Sequence, residues 1–181
     1  MNTRLNLNIY SAVLVIGLLV IFSVSASAAE TYKLDPAHTS VVYRVKYSGV
    51  TFVYGRFNGP TGTFTYDESS PSKSSIEMQV DANNIDTAVE KRDNHLKSPD
   101  FFDAGEHPLV TFKSTSVKKL DSDTYQVTGN LTLLGKSRKL TVTARHTGSG
   151  KDPWGNFQRG FETSFTIKRS DFGMDFMLGG V

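Results

Sequence analysis

Alternation of apolar and polar residues is the feature that most constrains how this chain can fold. Residues 41–47, VVYRVKY, place Tyr43 and Val45 on one side of an extended backbone and the basic side chains on the other. A period of two is typical of a half-buried β-strand. Similar alternation predicts further strands at residues 50–57, 61–67, 75–81, 109–117, 124–133, 137–146 and 157–168.

Short strands with one apolar face each and short connections predict an all-β fold, either an antiparallel barrel or a sandwich. We favour a barrel of about eight strands, because the apolar faces are rich in Phe, Tyr and Met. Gly55 is expected to mark a bend or bulge in its strand. Residues 148–155 are expected to form a loop that carries the only tryptophan, Trp154. This side chain either folds over one end of the barrel or serves as a lid or membrane-touching aromatic.

One polar segment interrupts the strand pattern. Residues 87–103, TAVEKRDNHLKSPDFFD, predict a short helical insert. Thr87 is expected to cap this helix, with Glu90 three residues later completing a capping box. Arg92 and His95 are three residues apart and therefore fall on one side of the helix.

Residues 1–28 have the pattern of a signal peptide. Arg4 supplies a positive charge, residues 9–24 are mostly apolar, and the small residues Ala26-Ser27-Ala28 suit a signal peptidase. The apolar run is shorter than the roughly 20 residues that span a bilayer. We therefore expect cleavage after Ala28, a periplasmic or secreted protein, and a single mature domain over residues 29–181. An uncleaved anchor is the alternative.

The composition argues against several classes of protein. The chain has 20 Lys and Arg against 18 Asp and Glu, a balance that does not suit a nucleic-acid-binding protein. It has no cysteine and only four histidines, which are far apart. Thiolate and haem-attachment sites are therefore excluded, and we expect no metal and no cofactor.

Several short motifs occur in a specific order along the chain. They are YKLD at 32–35 with His38, YGRF at 54–57, IDT at 85–87, RDNHL at 92–96, SPDFF at 98–102, GNLTL at 129–133 and RSDFGM at 169–174. Together they resemble the YceI-like family of periplasmic, lipocalin-like polyisoprenoid-binding proteins, and the resemblance covers residues 30–181.

The resemblance implies an antiparallel lipocalin-like barrel whose apolar tunnel holds a long prenyl or similar lipid chain. It also implies one more strand beyond Val181, so that the C-terminal closing strand is missing from this chain. Unpaired edges would then weaken the fold and favour self-association, and a homodimer is one outcome. Tyr47 stands where many members have a second histidine.

The inward-facing positions of the alternating runs are the candidates for ligand binding. A packed core is the alternative for any β-barrel, and the resemblance favours a cavity. The candidate ligand-binding residues are Tyr43, Val45, Phe52, Phe64, Met78, Val80, Phe112, Leu131, Val142, Phe161 and Phe165.

Arg92 and His95 are candidates for contact with a phosphate or quinone oxygen of a ligand head group. The alternative is a structural network of charges on the helix. A catalytic pairing of Asp93 with His95 would need a nucleophile, but the chain has neither a GxSxG motif nor a cysteine. No catalytic residues are therefore expected.

We expect a carrier that binds a polyisoprenoid or another long-chain lipid, of the prenyl quinone or prenyl phosphate type, without catalysis. Transient contact with a membrane would accompany loading. One alternative is a stress-related interaction protein with a filled barrel. Another is an enzyme that acts on an isoprenoid lipid.

Overall fold

The fold is built from antiparallel strands and one short helix. The structure is a computed structural model that describes residues 29–178. The strands are β1 (Glu30–Lys33), β2 (Val41–Tyr47), β3 (Thr51–Phe57), β4 (Thr61–Tyr66), β5 (Ser75–Asp81), β6 (Ile85–Asp86), β7 (Leu109–Lys119), β8 (Thr124–Leu133), β9 (Lys136–Lys151) and β10 (Phe157–Thr163). The helix α1 spans Glu90–Leu96, and 3-10 turns occupy Pro71–Lys73, Ala82–Asn84 and Arg169–Phe172. The all-β prediction with one helical insert is confirmed.

The strands form two sheets. A seven-stranded sheet has the order β1-β4-β5-β7-β8-β9-β10, and a three-stranded sheet has the order β2-β3-β6. Every strand pair is antiparallel. Strands β1 and β10 are therefore the edges of the larger sheet, and β2 is an edge of the smaller one.

The seven-stranded sheet is curled into part of a barrel. Neighbouring strands lie about 4.8 Å apart, so the two edges of a flat sheet of this size would be about 29 Å apart. In this protein Arg159 on β10 donates a hydrogen bond from Nε to the hydroxyl of Tyr32 on β1 over 2.9 Å. The rings of Phe64 on β4 and Phe161 on β10 also meet, with their centroids 5.6 Å apart. The two edges, β1 and β10, therefore face each other at one end of the curl. We call the line where they meet the seam.

Several boundaries differ from those predicted. Strand β9 continues to Lys151 through residues 148–150, which were expected to be loop, because they pair with Gln158, Arg159 and Gly160 of β10. Strand β10 ends at Thr163 rather than at residue 168. The short strands β1 and β6 were not predicted.

The start of α1 also differs from the prediction. Val89 is the N-cap residue, and no side chain caps the helix there. The proposed capping box between Thr87 and Glu90 is therefore wrong. Instead, Asp93 reaches back and accepts a hydrogen bond from the backbone N–H of Thr87 over 2.9 Å.

Two parts of the chain lie outside the described residues. They are residues 1–28, which carry the predicted signal peptide, and residues 179–181. Among residues 29–178, no helix has the length and apolar character needed to cross a membrane.

Candidate functional site

The inner face of the seven-stranded sheet is the candidate site. Alternate residues of each strand point to this side, and their apolar side chains form connected clusters. The cluster near the β1–β10 seam contains the buried residues Tyr66, Val117, Tyr125, Val127 and Val142. Phe64 and Phe112 are half-buried and pack against it.

Phe112 connects this cluster to the next one. It also packs against a second cluster formed by Leu131, Leu133, Phe172 and Met174. A third cluster, around Phe57, Val80 and Ile85, lies between the two sheets and the segment that contains α1. Packed apolar side chains therefore continue without interruption along the inner face, from the seam toward the helix.

A groove crosses strands β4, β5 and β7. It has a volume of about 370 Å³ and is lined by the inward positions Gly62, Met78 and Phe112 and by six polar residues that alternate with them, Thr61, Thr63, Glu77, Gln79, Thr111 and Lys113. Gly62 allows β4 and β5 to approach closely here, because a Cβ atom at this position would collide with the backbone oxygen of Glu77. The volume is at the lower end of the range of about 300–1,000 Å³ that small-molecule sites occupy.

The end of the inner face near the seam is polar. The hydroxyls of Tyr66 and Tyr125 are 2.9 Å apart and form a buried hydrogen bond. The guanidinium carbon of Arg159 lies 4.4 Å from the centre of the Tyr66 ring. Burial, followed by the hydrogen bond to Tyr125, raises the pKa of Tyr66 to about 12. This hydroxyl therefore stays protonated over the whole physiological range.

Two buried polar atoms have no hydrogen-bond partner within the described part of the chain. They are the Oη of Tyr43 and the Nε2 of His146. Burial raises the pKa of Tyr43 to about 12, and the carboxylate of Asp93 adds to this effect. The His146 ring lies against Phe161, with the two centroids 5.2 Å apart. Each atom offers an unused hydrogen-bonding position next to an apolar surface.

The structure places most of the candidate ligand-binding residues on the inner face. Phe64, Phe112 and Val142 belong to the seam cluster, and Leu131 belongs to the second cluster. Val80 lies in the third cluster, and Tyr43 packs against it. Met78 is half-buried and pairs with Phe112 across β5 and β7.

The other four candidate residues differ in their surroundings. Phe161 is more than one third exposed but contacts Phe64, Tyr66 and Tyr125. Val45 and Phe165 are about half exposed. Val45 faces the same side as Tyr43, since the β2–β3 register is regular.

Phe52 lies on the wrong face for the interior position that the sequence predicted. It pairs with Lys46, whereas the inward Tyr43 pairs with Gly55, so the two aromatic side chains point to opposite sides of the ribbon. A bulge at Gly55 would have changed this alternation, but the pairing from Thr51 to Phe57 contains none. Gly55 instead makes room for Tyr43, whose hydroxyl would collide with a Cβ atom at that position.

The two proposed head-group residues have protein partners. Arg92 donates from Nε to the Thr87 hydroxyl and from Nη2 to the Thr87 carbonyl, each over 2.8 Å. His95 Nε2 lies 2.9 Å from Asp100 Oδ2, and its ring packs against Phe101 and Phe176. Both side chains take part in the structure of the helical segment, and their role toward a ligand stays a prediction.

Sequence reasoning missed three residues of the polar end. Tyr66 and Tyr125 could have been found by period two. Tyr66 is two residues from the chosen Phe64 and Tyr125 is six residues from the chosen Leu131, so each lies on the same side of its strand as an inward residue. Arg159 is two residues from the chosen Phe161, but it was passed over because a basic side chain normally faces solvent. Its inward position depends on the curl that brings β1 beside β10.

Comparisons with known proteins agree with this fold. The sequence matches the YceI-like domain over residues 32–181. A UPF0312 protein from Pseudomonas paraeruginosa is 41% identical over 161 residues, which cover 88% of this chain and 84% of the relative. The YceI protein of Campylobacter jejuni, a solved structure, has a TM-score of 0.63 at 33% identity, covering 78% of this chain and 82% of the other.

A more distant structural likeness concerns the fold alone. A polyisoprenoid-binding domain from Saccharophagus degradans has a TM-score of 0.51 at 13% identity, covering 82% of this chain and 83% of that domain. The match over almost the whole described region and the identity to the Pseudomonas relative establish the relationship. The chain therefore belongs to the YceI-like family.

Proposed function

We propose that this protein binds a polyisoprenoid or another long-chain lipid on the inner face of its curled sheet, without catalysis. The observation that carries this proposal is the continuous set of apolar side chains on the inner face, in which half-buried Phe112 joins the seam cluster to the second cluster. The polyisoprenoid-binding domain from Saccharophagus degradans, which shares the fold, supports the same assignment.

Hydrophobic burial alone can hold such a ligand. Each methylene group removed from water contributes about 0.8 kcal/mol. A groove of about 370 Å³ accommodates only part of a long prenyl chain. The rest of the chain would then lie along the apolar surface on either side of Met78 and Phe112. The loss of ligand freedom offsets much of this gain, so exchange with a membrane is feasible.

The polar end of the inner face suits a small oxygen-bearing head group. Arg159 and the hydroxyls of Tyr66 and Tyr125 provide a cation and hydrogen-bonding groups there. Prenyl quinones and prenyl phosphates both carry oxygen acceptors. Arg92 and His95 remain the alternative head-group contacts at the helical end.

The signal-peptide pattern of residues 1–28 supports a periplasmic or secreted location. A lipid with a long prenyl chain is almost insoluble in water. A soluble binding protein in this compartment would therefore act as a carrier for the lipid, with loading and release at membranes.

The first experiment is to identify what the protein carries. The mature chain would be purified from the periplasm of a bacterial host, extracted with organic solvent and examined by mass spectrometry. We expect a prenyl quinone, a prenyl phosphate or another long-chain lipid in stoichiometric amount. An empty extract from folded, monodisperse protein would overturn the proposal and favour an interaction protein with a filled barrel.

A pair of variants locates the binding surface. Met78 lines the groove and faces inward, whereas Gln126 on β8 is exposed and does not line the groove. Met78→Glu puts a carboxylate against the lipid and is expected to lower occupancy by about tenfold, which is about 1.4 kcal/mol. Gln126→Glu introduces the same charge on the same sheet, outside the groove, and is expected to leave occupancy unchanged. Equal occupancy in the two variants would contradict binding at this face.

A further inference from the structure

The outer face of the β2–β3 ribbon has an unusual combination of side chains. The register pairs Val42 with Arg56, Arg44 with Tyr54, and Lys46 with Phe52. Each pair places one cation beside one apolar or aromatic side chain, on the side opposite Tyr43. We call these six residues the ribbon outer face.

The apolar members of the ribbon outer face are open to solvent. Val42 is 61% exposed, Phe52 is 45% exposed and Tyr54 is 57% exposed. The guanidinium carbon of Arg44 lies 4.4 Å from the centre of the Phe52 ring. The face is therefore a mixed cationic and aromatic surface with no covering element among residues 29–178.

The turn that joins β2 to β3 continues this surface. Ser48 and Gly49 both have positive φ, which gives a tight connection between the strands. Val50, the last residue of the turn, is 85% exposed, and Tyr47, just before the turn, is 57% exposed. The ribbon therefore ends in an apolar tip beside its cationic face.

All the charged side chains that β2 and β3 themselves carry are basic. No Asp or Glu occurs between Asp35 and Asp67, although the whole chain is nearly balanced, with 20 basic and 18 acidic residues. Arg56 has a carboxylate partner, Asp86 on β6, at 3.5 Å. Arg44 and Lys46 have no such partner within the described part of the chain.

We propose that the ribbon outer face and its tip dock this protein on the surface of an anionic lipid bilayer. Lys and Arg beside aromatic rings match the interfacial region, where anionic head groups lie above the hydrocarbon. The exposed apolar side chains of the tip would also gain free energy by leaving water for that region. The inference extends the proposed function, because it names the surface at which a lipid carrier would exchange its ligand.

The test is sedimentation of the mature chain with vesicles that contain no prenyl lipid. Neutral phosphatidylcholine vesicles are compared with vesicles of phosphatidylcholine and phosphatidylglycerol in equal parts. We expect binding to the anionic vesicles at low ionic strength and little binding in 0.5 M NaCl, since salt screens exposed charges. Ligand occupancy is measured separately by extraction, so failure of docking and failure of lipid binding are distinguishable.

A charge-matched pair of variants identifies the face. Arg44→Gln/Lys46→Gln removes two charges and is expected to weaken binding by about thirty-fold, from about fivefold for each basic residue near an anionic surface. The control is Lys118→Gln/Lys139→Gln, which removes two exposed charges from the seven-stranded sheet. We expect the control to bind like the unchanged protein. Val50→Ser tests the tip and is expected to weaken binding without altering net charge.

Three outcomes would overturn the proposal. The first is equal binding to neutral and anionic vesicles. The second is equal binding by the two double variants. The third is binding to soluble polyglutamate but to neither kind of vesicle, which would assign this face to an acidic protein partner instead.

Discussion

Two tyrosines show how differently a single hydroxyl can be placed in this protein. The Tyr66 hydroxyl has a buried partner, Tyr125, at 2.9 Å, whereas the buried Tyr43 hydroxyl has none among the described residues. A buried donor without a partner costs about 1–3 kcal/mol, whereas a satisfied hydrogen bond contributes about 1 kcal/mol. The same substitution should therefore have opposite effects at the two positions.

Replacing each tyrosine by phenylalanine tests this difference. We expect Tyr43→Phe to raise the free energy of unfolding by about 1 kcal/mol, because it removes an unpaired hydroxyl. We expect Tyr66→Phe to lower it by about 1 kcal/mol, because it leaves Tyr125 unpaired. Urea unfolding followed by circular dichroism measures both changes. A loss of stability in Tyr43→Phe would show that its hydroxyl has a partner in solution.

Residue-level predictions succeeded where the alternation was regular. Phe64, Met78 and Phe112 face inward because no irregularity interrupts their strands before those positions. The inward placement of Phe52 was wrong because residues 50–57 carry apolar side chains on both sides, and the register turns the side with Val53 and Phe57 inward. A glycine reveals that something approaches the backbone closely, but not which residue does so.

At the scale of elements, the strands were predictable and their ends were not. The Gly-Ser-Gly stretch at 148–150 has the composition of a loop, yet it lies in β9 because β10 pairs with it. Strand β6 has only two residues, too few for any period to be recognised. Pairing partners distant in sequence determine both features, and local composition does not reveal them.

The start of α1 depends on one acidic side chain. Asp93 accepts a hydrogen bond from the backbone of Thr87, and Arg92 binds the Thr87 hydroxyl and carbonyl. These contacts fasten the chain from β6 to the first turn of the helix. Glu90 is exposed on that first turn and has no role in the arrangement.

The contrast between these two carboxylates is testable. We expect Asp93→Ala to lower the free energy of unfolding by about 2 kcal/mol, because hydrogen bonds to charged groups contribute about 1.5–3 kcal/mol. We expect Glu90→Ala to cost no more than about 0.5 kcal/mol, from its interaction with the helix dipole. Chemical unfolding of both variants measures the difference. Equal losses would restore the capping-box interpretation.

At the scale of the whole molecule, one arginine joins the two edges of the large sheet. Arg159 on β10 binds the Tyr32 hydroxyl on β1 and lies 3.6 Å from the carboxylate of Glu30. Its guanidinium also lies over the ring of Tyr66. The curl that forms the candidate site is therefore fastened by contacts that no local pattern in the sequence could reveal.

Removing this side chain should loosen the seam. We expect Arg159→Ala to lower the free energy of unfolding by about 2 kcal/mol, from the lost hydrogen bond and the lost contact with the aromatic ring. Arg145→Ala is the control, since Arg145 forms an exposed pair with Glu162 and should contribute at most about 1 kcal/mol. Urea unfolding compares them. A smaller loss for Arg159→Ala than for the control would show that the seam is not held in this way.

The contact between Tyr32 and Arg159 also bears on how the chain folds. Its two residues are 127 positions apart, so the seam cannot close until nearly the whole domain has been synthesised. Contacts so distant in sequence are slow to form, because a long loop must be closed before they stabilise the chain. Until that step, β1 has no contact with β10, and the inner face is open along the seam. The interval before closure is therefore when the unpaired edges and the open inner face make this chain most prone to aggregation.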